Sequence, residues 1–250
     1  MSQSTPSGLT RFAFNLGIAG AAIAIVGILG VQLGLWAPMV GFGGFVLGTI
    51  GCGSVAMVTG ALALFRNRQA AGGPDQGRAL IATAIGLVLV AIVLVSASGG
   101  AGYPPINDIS TDVSDPPSFA AEDLVPAYQG RDMNYPAEFV EIVQTAYPDL
   151  APIQTDSPPG EAYARALASA RGLGWTITYE DPVAHTFDAT ESTAVFRFVD
   201  DITIRVRPDE QGARIDVRSK SRDGQGDLGT NAERIRRFAT EMTLPPVSSR

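Results

Sequence analysis

The chain has 250 residues, 46% of them hydrophobic, and a formal net charge of −7 at pH 7. That charge is unevenly divided: residues 1–100 hold four arginines against one aspartate, a net +3, whereas residues 101–250 hold 14 basic against 24 acidic residues, a net −10. The acidic half excludes nucleic acid as a partner, because phosphate binding needs clustered Lys and Arg, and it would be repelled from anionic lipid headgroups.

Three apolar stretches fill the first hundred residues, at about 12–36, 40–65 and 79–97. Each is close to the roughly 20 residues that cross a hydrocarbon core, and none contains Asp, Glu, Lys or Arg. Residues 1–98 are therefore expected to be a membrane domain of three transmembrane helices, with the lipid bilayer as first partner. Arg11 precedes the first stretch, and Arg66, Arg68 and Arg78 outnumber Asp75 in the second loop. The first loop, Trp36-Ala37-Pro38-Met39, is uncharged. Positive residues stay cytoplasmic, which predicts a multi-pass protein of the inner (cytoplasmic) membrane. Its N-terminus would be cytoplasmic and its C-terminal domain extracytoplasmic, periplasmic in a Gram-negative cell.

Cys52, the only cysteine, sits in the second stretch and reads as a small buried hydrophobe. Gly30-x-x-x-Gly34 and Gly44-x-x-x-Gly48 have the spacing that lets helix backbones approach closely. Packing within the chain is the favoured reading, and dimerisation the alternative. With no ionisable group in any stretch, a transporter or pump is not expected, and the helices read as an anchor.

Ser98-Gly-Gly-Ala-Gly-Tyr-Pro-Pro opens a linker over residues 99–107, followed by a soluble domain over 108–244 and a tail over 245–250 after Pro245-Pro246. The stretch 107–159 is rich in Pro, Asp and Ser and is expected to be ordered loop with short helical turns, one of them within 132–147. Ser157-Pro158 opens a predicted helix over 158–171, with Tyr163, Ala166, Leu167 and Ala170 on its apolar stripe and Gly172 and Gly174 ending it. Strands are expected over 175–180, 185–190, 194–207 (with a break at Asp200-Asp201) and 214–222. For the last two, pairing Val206 with Ile215 and Ile204 with Val217 puts all the apolar residues on one face. The other face then sets Arg205 against Asp216, a structural ion pair, Arg207 against Arg214 and Thr203 against Arg218. A final helix over 230–243 begins at Thr230 with Glu233 at capping-box spacing. It buries Ile235, Phe238, Ala239 and Met242, leaving Arg234, Arg236 and Arg237 mostly off that stripe.

Three segments carry a family resemblance. They are Pro104 to Asp112 with Asp115-Pro-Pro-Ser-Phe119; Gly174-Trp175, Ala189-Thr190 and Phe196 to Val206; and Ile215 to Arg222 with Asp227-Leu-Gly-Thr-Asn231 and Arg234-Ile-Arg236. Over about residues 103–244 the chain resembles the domain of unknown function 1499 family, found in bacteria and photosynthetic eukaryotes. The resemblance implies no reaction. It directs attention to Asp216, Arg218, Ser219, Ser221, Arg222, Asp227 and Asn231. The chain departs at Asp223-Gly-Gln-Gly226, where the family carries a basic group and a hydroxyl.

Arg218, Ser219, Ser221, Arg222, Asp227 and Asn231 flank a Gly-rich turn and a helix start, a pattern that can hold a phosphate, sulfate or carboxylate. The competing reading has Arg218 and Arg222 paired with Asp216, Asp227 or Asp200-Asp201, locking hairpin to helix. Asp200 and Asp201 are adjacent carboxylates, but neighbours on a strand face opposite ways, and arginine partners are favoured over acid–base work. His185 is the only histidine. No nucleophile elbow, phosphate loop, dinucleotide fingerprint or metal-ligand spacing accompanies it, so no catalytic residue, metal or cofactor is expected.

The fold class expected is a three-helix transmembrane anchor followed by an α+β domain, with a mainly antiparallel sheet of about four strands flanked by two helices. The function expected is that of an extracytoplasmic module that binds a partner protein or a small anion without catalysis. The alternatives are a hydrolase acting on an envelope substrate and a structural or assembly subunit of a membrane complex.

Overall fold

A computed structural model describes residues 7–66, 68, 74–100 and 102–243. The chain forms two compact units, one of residues 1–101 with 194–197 and one of 102–193 with 198–250. The expected tail over 245–250 lies outside the described residues.

The first unit carries three helices long and apolar enough to cross a membrane: Gly8–Gln32, Pro38–Arg66 and Asp75–Ser98. The first is α1; the second comprises α2 (Pro38–Val46), a π-helical stretch (Leu47–Cys52) and α3 (Gly53–Arg66); the third belongs to α4 (Pro74–Ser98). All three begin a few residues earlier than the apolar stretches suggest, because Gly, Pro and capping residues also take helical geometry at the ends. In the π stretch Thr49 Oγ1 donates to the Phe45 carbonyl at 2.6 Å, giving that oxygen a side-chain partner where the i→i−4 ladder is interrupted.

The glycines of these helices meet neighbours in the same chain. A Cβ on Gly20 would lie 2.7 Å from both Cys52 Cβ and the Gly48 carbonyl, and one on Gly53 would touch Leu89. Gly44 faces Gly27, and Gly30 lies under the Trp36 ring. Gly34, by contrast, sits at φ +70° in the turn after α1, with open space around it. We expect Gly20→Val to destabilise the helical unit by about 1–3 kcal/mol through overpacking. Gly43→Ala, where a Cβ meets nothing within 4 Å, should be neutral or slightly stabilising. Thermal loss of helicity in detergent micelles compares the two.

The second unit is an α+β domain built on one antiparallel sheet of six strands: β1 (Asp108–Ser110), β2 (Ile153–Thr155), β3 (Thr176–Asp181), β4 (Thr186–Ser192), β5 (Val199–Asp209) and β6 (Gly212–Ser221). The order is β1-β6-β5-β4-β3, with β2 also on β6. β1 and β2 arise from the stretch expected to be loop. Three residues carry no periodicity of their own, and pairing with β6 makes them strands. The same stretch holds a short 3-10 turn and α5 (Phe139–Ala146).

The β5–β6 register is the one the alternation demands: Val206 opposite Ile215, Ile204 opposite Val217, Arg205 opposite Asp216 and Arg207 opposite Arg214. Gly212 closes the hairpin at φ +142°, and a Cβ there would run into the Thr155 and Asp156 backbone. β5 begins at Val199, later than expected, and runs unbroken through Asp200-Asp201, because each carboxylate finds an arginine on its own side of the sheet.

On the apolar face, Ile202, Ile204, Val206, Ile215, Val217, Phe187 and Ala189 are buried under α6 (Pro159–Gly172) and α7 (Thr230–Thr243). Trp175 stacks on Phe238 of α7 at 5.3 Å between centroids. α6 starts one residue later than expected, with Pro158 as N-cap and Pro159 at its first position. α7 is capped by Asp227, whose carboxylate accepts the Gly229 and Asn231 amides at 2.9 and 2.8 Å. A preceding Asx turn reaches those orphan amides where the Thr230–Glu233 box was expected.

Candidate functional site

The sheet is polar on its second face. Asp188 of β4, Asp201, Thr203, Arg205 and Arg207 of β5, and Arg214, Asp216, Arg218 and Lys220 of β6 alternate with the core residues and must project away from them. The irregular segment 111–136 covers much of this face. Arg205 Nε and Nη2 donate to Asp216 Oδ2 at 3.2 and 3.1 Å. Arg207 and Arg214 sit opposite each other, an unfavourable pair alone. Asp216 and Asp112 resolve it: Arg207 lies 2.8 Å from Asp216 and 3.1 Å from Asp112, while Arg214 Nε donates to Asp216 at 2.7 Å and its Nη2 donates to Asp112. Burial works to raise the Asp112 carboxyl. Bonds from Ser114 and the Asp115 amide, with the Arg214 charge, outweigh it and hold the group below the usual carboxylate range.

Arg218 is 2% exposed and its bonds are nearly saturated. It donates twice to Asp108, at 2.9 and 2.7 Å, and once each to the Pro117 and Met133 carbonyls, at 3.2 and 3.0 Å. Its Cζ lies 4.9 Å from the Phe119 ring centroid and 5.2 Å from that of Tyr135. Lys220 Nζ meets the same Asp108 carboxylate at 3.0 Å. Beside this cluster is a cleft of about 360 Å³ whose lining includes Phe119, Tyr128, Met133, Tyr135 and Arg218. The Tyr135 hydroxyl is buried with no hydrogen-bond partner among the described residues, whereas that of Tyr128 is turned toward Asp188 and Thr178. Burial first, then the nearby carboxylates (Asp188 and Asp201 for Tyr128, Asp108 for Tyr135), pushes both phenols well above their ordinary range, so both stay protonated donors.

Asp188 is the one carboxylate of this layer with no cation bonded to it. Its Oδ2 accepts the Ala120 amide at 2.8 Å, and burial pushes its pKa up to about 6 from 3.8. The native state thus binds more protons than the unfolded chain between those values, and this group's contribution to stability rises as pH falls through that window. Asp188→Asn should stabilise the fold by up to about 3 kcal/mol at pH 7, with the gain shrinking toward zero near pH 4. Urea unfolding of both proteins at the two pH values reads that difference.

On the apolar face, a second polar cluster fills the end of the sheet under α7. Arg234, 1% exposed, donates to Asp200 at 2.5 Å, Glu191 at 2.6 Å, Ser219 Oγ at 3.0 Å and Asn231 Oδ1 at 2.5 Å. Asn231 Nδ2 donates to Ser221 Oγ at 3.0 Å and to the Asn107 carbonyl at 3.1 Å. Sequence reasoning placed Arg234 off the helix stripe; the structure puts it inside, because Asp200 and Glu191 await it there.

The sheet therefore divides the six candidate ligand residues. Arg218 and Arg222 lie on the polar face, Arg222 held by Asp201 through bonds of 2.9 and 2.7 Å. Ser219, Ser221 and Asn231 lie within the Arg234 cluster, and Asp227 caps α7. Asp200 comes together with Ser219 and Ser221. His185 does not: it precedes β4 at φ +54° and packs on Tyr163 at 5.7 Å, six residues and roughly 20 Å along the strand from Glu191. The participation of Asp108, Asp112, Phe119, Tyr135, Asp188 and Arg234 was not anticipated. Nothing in the three residues Asp108-Ile109-Ser110 marks them as the strand that delivers Asp108 to Arg218. Among the described residues no three His, Cys, Asp or Glu side chains form a metal-ion donor set.

No curated protein matches the chain. Residues 108–242, more than half its length, match the family described as "Protein of unknown function (DUF1499)". With the match spanning β1 through α7, the chain belongs to the DUF1499 family.

Proposed function

We propose that the protein is a membrane-anchored, extracytoplasmic binding module, and that the cleft beside Arg218 is where its soluble unit takes a small anionic ligand. The arginines Arg11, Arg66, Arg68 and Arg78 support a cytoplasmic N-terminus, with the soluble unit in the periplasm of a Gram-negative cell. The observation that carries the binding reading is one concavity lined by a buried guanidinium, Arg218, and by Tyr135, whose hydroxyl has no partner among the described residues. The hydrolase reading is weaker, because Ser219 and Ser221 are committed to Asn231 and His185 lies far along the sheet. The assembly-subunit reading draws less support from the glycine faces, since Gly20, Gly27, Gly48 and Gly53 pack inside the chain.

The test uses full-length protein in detergent with isotope-labelled methionine methyls. Of the five methionines only Met133 lines the cleft, and Met242 lies in the core as an internal control. In a panel of small anionic, neutral and cationic fragments, the anionic ones should move the Met133 resonance selectively. The effect should vanish in Ala121→Trp, which fills the cleft from an exposed position. Shifts confined to other methionines, or none, would defeat the reading.

A further inference from the structure

Asp108, fully buried, receives both Arg218 and Lys220, so one carboxylate answers two cations, while Asp188, two strands away in the row of Thr203 and Arg218, has no cation bonded to it. Four of the five Arg218 N–H groups are directed at Asp108, Pro117 and Met133; the remaining Nη1 hydrogen has no partner among the described residues. The Tyr135 hydroxyl, on the ring that stacks against the same guanidinium, is a second unused donor. Two idle donors on and beside a guanidinium call for an anionic acceptor.

Asp132 is an exposed carboxylate of the cleft lining that, among the described residues, makes no salt bridge and accepts the Asn134 amide and side chain, at 3.0 and 2.9 Å, while feeling the charges of Lys220 and Arg218. Asp132 is thus a distant, solvent-screened counter-ion that a better-placed anion can replace. The cleft lining carries Asp132 and Glu122 against Arg131 and Arg218, two charges of each sign. Of the rest of the wall, Pro116, Phe119, Ala120, Ala121 and Met133 are apolar or aromatic, and Ser118, Arg131 and Asn134 are polar. Phe119 and Tyr135 already flank Arg218, so they do not form an empty cage for a ligand cation.

We infer that the cleft binds a small organic monocarboxylate, with its carboxylate at Arg218 and Tyr135, its body against Phe119 and Met133, and Asp132 as the competing resident charge. This rests on the reading of the cleft as a binding site, and the probes separate the two. Benzoate, benzamide and benzylammonium share a shape and differ in charge. Titrated into the full chain in detergent, benzoate should move the Met133 methyl in a saturable way, and benzamide and benzylammonium should not. Asp132→Asn, an exposed change outside the packed core, should tighten benzoate roughly two- to fivefold, the effect of removing one screened like charge. An Asp132→Asn protein that binds benzoate no more tightly would overturn the monocarboxylate assignment and leave the cleft as an anion site, whereas equal or better binding of benzamide or benzylammonium would overturn the anionic reading with it. Silence of Met133 toward all three probes would overturn both.

Discussion

Replacing Arg234 with Met is expected to cost the soluble unit about 3–5 kcal/mol, the penalty for stranding a buried carboxylate without its cation. Asp200 is 2% exposed and Arg234 1%, and they meet at 2.5 Å. Burial already pushes the Asp200 carboxyl upward against the pull of Arg234, so the site gives a lone charge little solvation. The loss spreads, because Arg234 also holds Ser219, Asn231 and Glu191. Trp175, buried against Phe238, reports unfolding in urea when Trp36 is replaced by Phe. Asp200→Asn combined with Arg234→Met should recover more than half of the loss, since it removes the orphan charge along with its partner. A single variant within about 1 kcal/mol of the parent would mean that water reaches Asp200 and that the cluster is not a dry one.

Asp108→Ala should be at least as damaging, about 3–5 kcal/mol, from the opposite side of the same sheet. Two cations lose their anion at once, and one of them, Arg218, cannot reach solvent. Arg218 also fixes the covering segment through the Pro117 and Met133 carbonyls, so that segment should loosen with it. Hydrogen exchange of peptides covering 111–136 should accelerate well before the β4–β5 pair opens. Lys220→Met is the informative contrast. It leaves Asp108 and Arg218 still paired and should cost no more than about 1 kcal/mol, because Lys220 keeps partial contact with water. If Asp108→Ala and Lys220→Met proved equivalent, Arg218 would have to draw its stability from Phe119 and Tyr135 and not from its carboxylate.

Much of the fold was legible because its signals are local. The β5–β6 hairpin alternates strictly over Ile202, Ile204 and Val206 and over Ile215 and Val217, and only one register buries both sets. The membrane helices announce themselves by twenty-residue runs without charge. What could not be read depends on partners distant in sequence. β1 and β2 are three residues each and exist because β6 accepts them. Arg234 lies on the buried face of α7 with Asn231 and Phe238, three and four residues away, but recognising it as a core residue requires knowing that the sheet ends in Asp200 and Glu191 beneath it. The cleft is harder still. Its segment has no periodicity, and its shape is imposed by Asp188 taking the Ala120 amide and by Arg218 taking two carbonyls 101 and 85 residues away.

The first strand of the soluble unit pairs with the last: Asp108 lies opposite Lys220 and Ser110 opposite Arg218. No sheet that includes β1 can form until the ribosome has made residue 220, and α7, which closes the core, is made later still. At roughly 5–20 residues per second, the segment that will roof the cleft waits on the order of ten seconds for the strand it is to cover. Throughout that interval its aspartates stand without their arginines, and the strongly acidic, soluble character of the early chain keeps it from collapsing onto itself. Assembly of this unit is therefore a property of the finished polypeptide, and a nascent chain halted anywhere before β6 carries the apolar helices without the folded α+β unit.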